Sequence, residues 1–120
     1  MPATDEKVQR HRGIDYSSED ADGNVTSLSY TAGVTGTVQI IAGSQWNTIN
    51  VVLNNGNIMQ YLHSSEIDVH DGQLVFPDTV MGKTGNVGLP ASAGIHLHVQ
   101  AKDKNGNYMN PNCAENDAPQ

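Results

Sequence analysis

Apolar positions alternate with polar ones in short runs, and the runs are broken by Gly, Asn, Asp and Pro. A period of two with frequent breakers indicates short strands and tight turns, and the 3.6-residue period of an amphipathic helix is nearly absent. The pattern predicts strands at Thr37–Ile41, Thr48–Leu53, Ile58–His63, Gln73–Phe76, Thr79–Gly82 and Ile95–Ala101. Asn54-Asn55-Gly56-Asn57 lies between two of these runs. Asn-Gly accepts positive φ at both turn positions, so this tetrapeptide should close a hairpin. Lys104-Asn105-Gly106-Asn107 should likewise return the last long strand onto Tyr108-Met109. Residues 17–24 and the Gly-rich stretch 82–94 read as loops, and Ser64-Ser65-Glu66-Ile67 reads as a serine-capped turn of helix. The predicted fold class is therefore all-β: an antiparallel sheet or two-sheet domain with long loops and little helix.

Composition narrows the function classes. The 120 residues suit one domain. Thirteen acidic side chains against six basic ones give a net charge of −7. Without a basic cluster the chain is a poor candidate for nucleic acid or anionic membrane. Its longest apolar runs are three or four residues, so no membrane span is expected. Cys113 is the only cysteine, which excludes an internal disulfide and a four-cysteine metal site. Aromatic residues make up only 5% of the chain, so the core must come from Val, Ile and Leu. A core that thin leaves room for a bound metal to contribute to stability. The opening residues MPATDEKVQRHRG lack the apolar core of a signal peptide. Export is therefore expected by another route, or the chain is a domain of a longer protein.

Five histidines against one phenylalanine is the unusual entry. In His96-Leu97-His98 the two imidazoles lie at i and i+2, on one face of a strand. Side-by-side imidazoles in an apolar strand suit a metal or acid–base site better than packing. Cupin barrels also use this pair, with a glutamate a few residues on, but here Val99-Gln100-Ala101 follows. His11 and Asp15, in His11-Arg12-Gly13-Ile14-Asp15, share a face of an extended segment and offer donors that zinc accepts. Tyr61 and His63 are predicted to share a strand face, so both could border a site. His70, in a turn beside Asp71, is assigned to the surface.

Taken together, these segments resemble the lysostaphin-type (LytM-type) zinc endopeptidases of peptidoglycan. Four motifs occur in the family's order: His11-Arg12-Gly13-Ile14-Asp15-Tyr16; Asn57 to His63 with its Tyr-x-His; Val69-His70-Asp71-Gly72-Gln73-Leu74-Val75 running on through Met81 to Gly88; and Gly94-Ile95-His96-Leu97-His98-Val99. The resemblance spans residues 9–111, leaving 1–8 as a lead-in and 112–120 as a disordered tail. It implies a groove holding Zn2+, with His11, Asp15 and His98 as ligands and a fourth position for water or substrate. It implies His63 and His96 as catalytic histidines, and Tyr61 is carried as a substrate-binding candidate. The chain departs from the family pattern at Ile95, where proline is frequent, and at Gln100, where glutamate is usual.

The implied activity is hydrolysis of peptidoglycan stem-peptide cross-links in the periplasm or extracellular wall. A D-alanyl–diaminopimelate cross-link is favoured over a glycyl–glycine bridge. Delivery as an antibacterial effector or phage lysis enzyme would add a carrier or immunity protein as partner. The alternative is a zinc-binding, non-catalytic scaffold of the same fold.

Overall fold

A computed structural model describes residues 13–40, 47–89 and 94–115. The chain is nearly all β, as the alternation predicts. Among the described residues ten strands follow in order: β1 Gly13–Ser17, β2 Ser29–Thr31, β3 Gly36–Ile40, β4 Ile49–Leu53, β5 Ile58–Leu62, β6 Glu66–Ile67, β7 Leu74–Val75, β8 Val80–Lys83, β9 His96–Lys102 and β10 Tyr108–Met109. One antiparallel sheet runs β1-β9-β5-β4-β3-β7, with β10 beside β1 on the same edge of β9, and a smaller sheet runs β2-β8-β6. Both predicted turns close as expected. Gly56 and Gly106 take φ of 89° and 87°, the left-handed region glycine tolerates without Cβ strain.

Alternation sorts the large sheet into two faces. Ile14, Val38, Ile49, Val51, Met59, Tyr61, Val99 and Ala101 are buried. Tyr30 from the small sheet stacks on Tyr61 with ring centroids 5.8 Å apart. Its hydroxyl shares a 2.6 Å hydrogen bond with Ser64 Oγ, and Tyr61 donates at 2.5 Å to the Ala32 carbonyl. Each buried phenol thus has a polar partner, which lets an aromatic-poor chain place two tyrosines in its core.

Two expectations are corrected. Ser64–Ile67 is not a helical turn. Ser64 is fully buried with its hydroxyl on Tyr30, and Glu66 and Ile67 pair with Lys83 and Gly82 of β8. The serine therefore satisfies a core phenol instead of capping amides. The folded chain also continues past residue 111. Pro111–Cys113 forms a 3-10 turn and Ala114 is fully buried, its carbonyl accepting from Asn55 and Asn57 of the β4–β5 turn.

Candidate metal centre

The site is built on the β1–β9 pair. In this register Asp15 lies opposite His98, and Ile14 lies opposite Val99. Ile14 and Val99 go to the core, so Asp15 and His98 emerge together on the other face. Asp15 Oδ1 is 2.6 Å from His98 Nδ1. His96, two residues earlier on β9, brings its Nε2 to 3.7 Å from the same oxygen. The i, i+2 reading of His96 and His98 is therefore correct: both imidazoles reach one carboxylate.

His63 joins them by a break in alternation. Strand β5 ends at Leu62, and His63 adopts φ of 71°, uncommon outside glycine. Its ring centroid lies 5.5 Å from that of His96 and 6.0 Å from that of His98. The same break corrects the expectation for Tyr61. Tyr61 does not share a face with His63. It pairs with Val99, points into the core with 2% exposure, and has no surface on the histidine cluster.

Hydrogen bonds orient each ring. His63 Nδ1 lies 2.7 Å from the Val87 carbonyl, and His96 Nδ1 lies 2.8 Å from the Gly94 carbonyl. A carbonyl only accepts, so both histidines carry their proton on Nδ1 when neutral and their basic lone pair on Nε2. His98 meets an acceptor at each ring nitrogen. Its Nδ1 faces Asp15 and its Nε2 lies 3.1 Å from Gln100 Oε1.

These surroundings pull the two most buried imidazoles apart. Burial pushes the His63 pKa below 6.5; the Val87 hydrogen bond opposes this, and His96 and His98 add to the lowering. Burial also acts to lower His98, but its bonds to Asp15 and Gln100 and the Asp15 charge outweigh that and raise it above 6.5. In the metal-free protein, an NMR pH titration should place the His98 midpoint above 6.5 and that of His63 below. Stability linked to His98 is full below its unfolded pKa and is lost as pH rises through its raised folded value. Stability linked to His63 is present above its unfolded pKa and is lost as pH falls through its lowered folded value. Midpoints in the reverse order would contradict this geometry.

The Gly-rich stretch after β8, read from sequence only as a loop, supplies the carbonyls that hold both catalytic candidates. Gly85 bridges to His96, whose N–H donates to the Gly85 carbonyl at 3.2 Å. A Cβ at Gly85 would come within 2.7 Å of both the His63 carbonyl oxygen and the Ser65 nitrogen, closer than real Cβ atoms pack. Gly85→Ala should therefore shift His63 and destabilise the fold by about 1–3 kcal/mol. Thermal unfolding and a changed His63 ring resonance would report it. An unchanged resonance at wild-type stability would contradict it.

Asp15, His63, His96 and His98 are thus brought together, and His70 is exposed as expected. His11 lies outside the described residues. Among the described residues, no three His, Cys, Asp or Glu side chains form a metal-ready group. The Asp15–His98 pair nevertheless suits zinc. It offers an anionic oxygen and an imidazole nitrogen 2.6 Å apart, and the remaining His98 nitrogen is anchored as ligating histidines usually are. Sequence reasoning noted Gln100 only as a departure, and it missed the role of Val87 and Gly94.

The family model for peptidase family M23 matches residues 9–111. Among solved structures, the SpoIIQ–SpoIIIAH pore-forming complex has a chain similar to this one at TM-score 0.72 and 23% identity, over 98% of this chain and 79% of that one. The catalytic domain of lysostaphin, an antimicrobial peptidase from Staphylococcus simulans, is similar at TM-score 0.69 and 24% identity, over 84% and 75%. A zinc-containing peptidase from Vibrio cholerae is similar at TM-score 0.66 and 23% identity, over 82% of this chain and 28% of that one. At such identities the likeness to the solved structures carries the fold. No curated protein matches.

Proposed function

This chain belongs to peptidase family M23, and from that premise we propose that it is a zinc-dependent endopeptidase cutting the stem-peptide cross-links of bacterial peptidoglycan. The carrying observation is the cluster itself. One carboxylate and three imidazoles meet on one face; two of the imidazoles are tied to backbone carbonyls through Nδ1, and the third lies between Asp15 and Gln100. His11, Asp15 and His98 would hold the metal, and His63 and His96 would act on substrate.

When bound, zinc supplies a Lewis acid that polarises the scissile carbonyl and acidifies an attacking water. The protein's own groups do the rest. His63, kept neutral by burial and tied to Val87 through Nδ1, is suited to take a proton from the attacking water on Nε2. The proton taken up by His63 would return from Nε2 to the leaving amine, and His96, tied to Gly94 through Nδ1, would donate to the developing oxyanion from Nε2 in its doubly protonated form. Asp15 Oδ1, within reach of both His96 and His98, holds those two rings in register.

A scaffold reading has one observation behind it: the similar SpoIIQ chain was solved in complex with a partner protein. The presence of both His63 and His96 in the cluster supports the peptidase instead. Digestion of purified Gram-negative sacculi with zinc-loaded protein, followed by muropeptide separation, distinguishes the two. Loss of cross-linked dimers is expected, with cleavage at the D-alanyl–diaminopimelate bond. Dimers left intact by protein that carries zinc would favour the scaffold.

A further inference from the structure

A ladder of side-chain amides runs from the cluster across the large sheet. Gln100 of β9 lies opposite Gln60 of β5, and Gln60 lies opposite Asn50 of β4. Gln100 is two residues from His98, so the ladder shares the face of Asp15 and His98. His98 Nε2 meets Gln100 Oε1 at 3.1 Å; Gln100 Nε2 donates to Gln60 Oε1 at 2.7 Å; Gln60 Nε2 donates to Asn50 Oδ1 at 3.1 Å. Gln100 and Gln60 each spend their NH2 on the next carbonyl, so the carbonyl of Gln100 is the end that faces His98. That oxygen can only accept, and an accepting partner requires N–H at His98 Nε2. Asp15 Oδ1 accepts as well, 2.6 Å from Nδ1, so the metal-free ring meets an acceptor on each side; with a metal at Nδ1, the proton left to the ring would be the one Gln100 holds on Nε2.

The neighbouring imidazoles show why such a device is needed. Backbone carbonyls hold the proton of His63 and His96 on Nδ1. With a metal at His98 Nδ1 the cluster would need opposite tautomers, and β9 has its own backbone groups engaged in pairing with β1 and β5. A side-chain acceptor is the remaining means, and Gln60 and Asn50 stop that acceptor from rotating.

We propose that Gln100, held by Gln60 and Asn50, is a positioning residue that fixes His98 in its Nε2–H tautomer and so presents Nδ1 to the metal. The proposal rests on the zinc assignment above. Glutamine provides the acceptor without the charge a glutamate would add, so the ladder sets ring orientation without adding a negative charge beside the ligand.

The test combines zinc affinity, by competition with a chelator, with 15N NMR of the histidine rings in zinc-loaded wild type, Gln100→Leu, Gln100→Glu and Gln60→Leu. In wild type the His98 Nε2 should carry the proton. Gln100→Leu should weaken zinc binding by about 10–100-fold. Gln100→Glu, which keeps an acceptor, should restore or exceed wild-type affinity, and Gln60→Leu should fall between. A generic packing role would lower stability without that order of affinities. Wild-type affinity in Gln100→Leu, or a wild-type His98 protonated on Nδ1, overturns the proposal alone. Should Gln100→Leu not fold, an unchanged affinity in Gln60→Leu has the same force. Failure of wild type itself to bind zinc overturns the metal assignment and this proposal with it.

Discussion

Asp15→Asn should strip the protein of tightly held zinc and of hydrolysis together. The side chain sits directly opposite His98, with Oδ1 2.6 Å from His98 Nδ1 and 3.7 Å from His96 Nε2. Asparagine preserves size and strand pairing, and the position is about one-third exposed, so the fold should survive. What disappears is the anionic oxygen. An amide oxygen is a weak zinc donor beside a carboxylate. Loss of a partner one shell further out already costs about 10–100-fold in affinity, so loss of the ligand itself should exceed roughly 100-fold. The variant also removes the group that raises His98, so the His98 midpoint in metal-free protein should fall. Metal content after dialysis and the ring titration check both halves. Full zinc retention by Asp15→Asn would remove Asp15 from the ligand set.

His63→Ala should show the complementary pattern: zinc retained and turnover lost. General acid–base catalysis contributes about 10²–10⁴-fold, and loss of His63 should lower turnover within that range. The ring packs 6.0 Å from His98 by centroid, and its Nδ1 is already committed to Val87, so its loss removes no proposed ligand. A stability cost is also expected. The Val87 carbonyl loses its donor, at about 1–3 kcal/mol if no water replaces it. Activity measured well below the unfolding temperature separates the two effects. His96→Ala should behave similarly, with a smaller stability cost because His96 is more exposed than His63. Unchanged turnover in His63→Ala would assign the base elsewhere.

Much of the scaffold was legible because period-two alternation and Asn-Gly turns are local signals. They place β3, β4, β5 and β9 to within a residue or so. Of the short strands, β7, β8 and β10 were also anticipated, but β2 and β6 were not. Ser29-Tyr30-Thr31 is three residues long and carries a register shift between Tyr30 and Thr31, too little to show a period. Ser64–Ile67 carries helix-start chemistry, but the demand of a buried phenol for a hydroxyl overrides it. Residue types and spacing singled out Asp15, His63, His96 and His98, side chains that the fold brings together. The positive φ at His63 turns that ring away from the Tyr61 face, and no local pattern announces it. The Asn50–Gln60–Gln100 ladder depends on cross-strand register, which becomes visible only when the sheet is assembled.

Zinc content and muropeptide release, measured on the same preparations of wild type and His63→Ala, test the peptidase reading most directly. The expected result is stoichiometric zinc in both proteins, with cross-linked muropeptides cleaved by wild type and left intact by the variant. Wild type that carries stoichiometric zinc yet leaves every cross-link intact would contradict it.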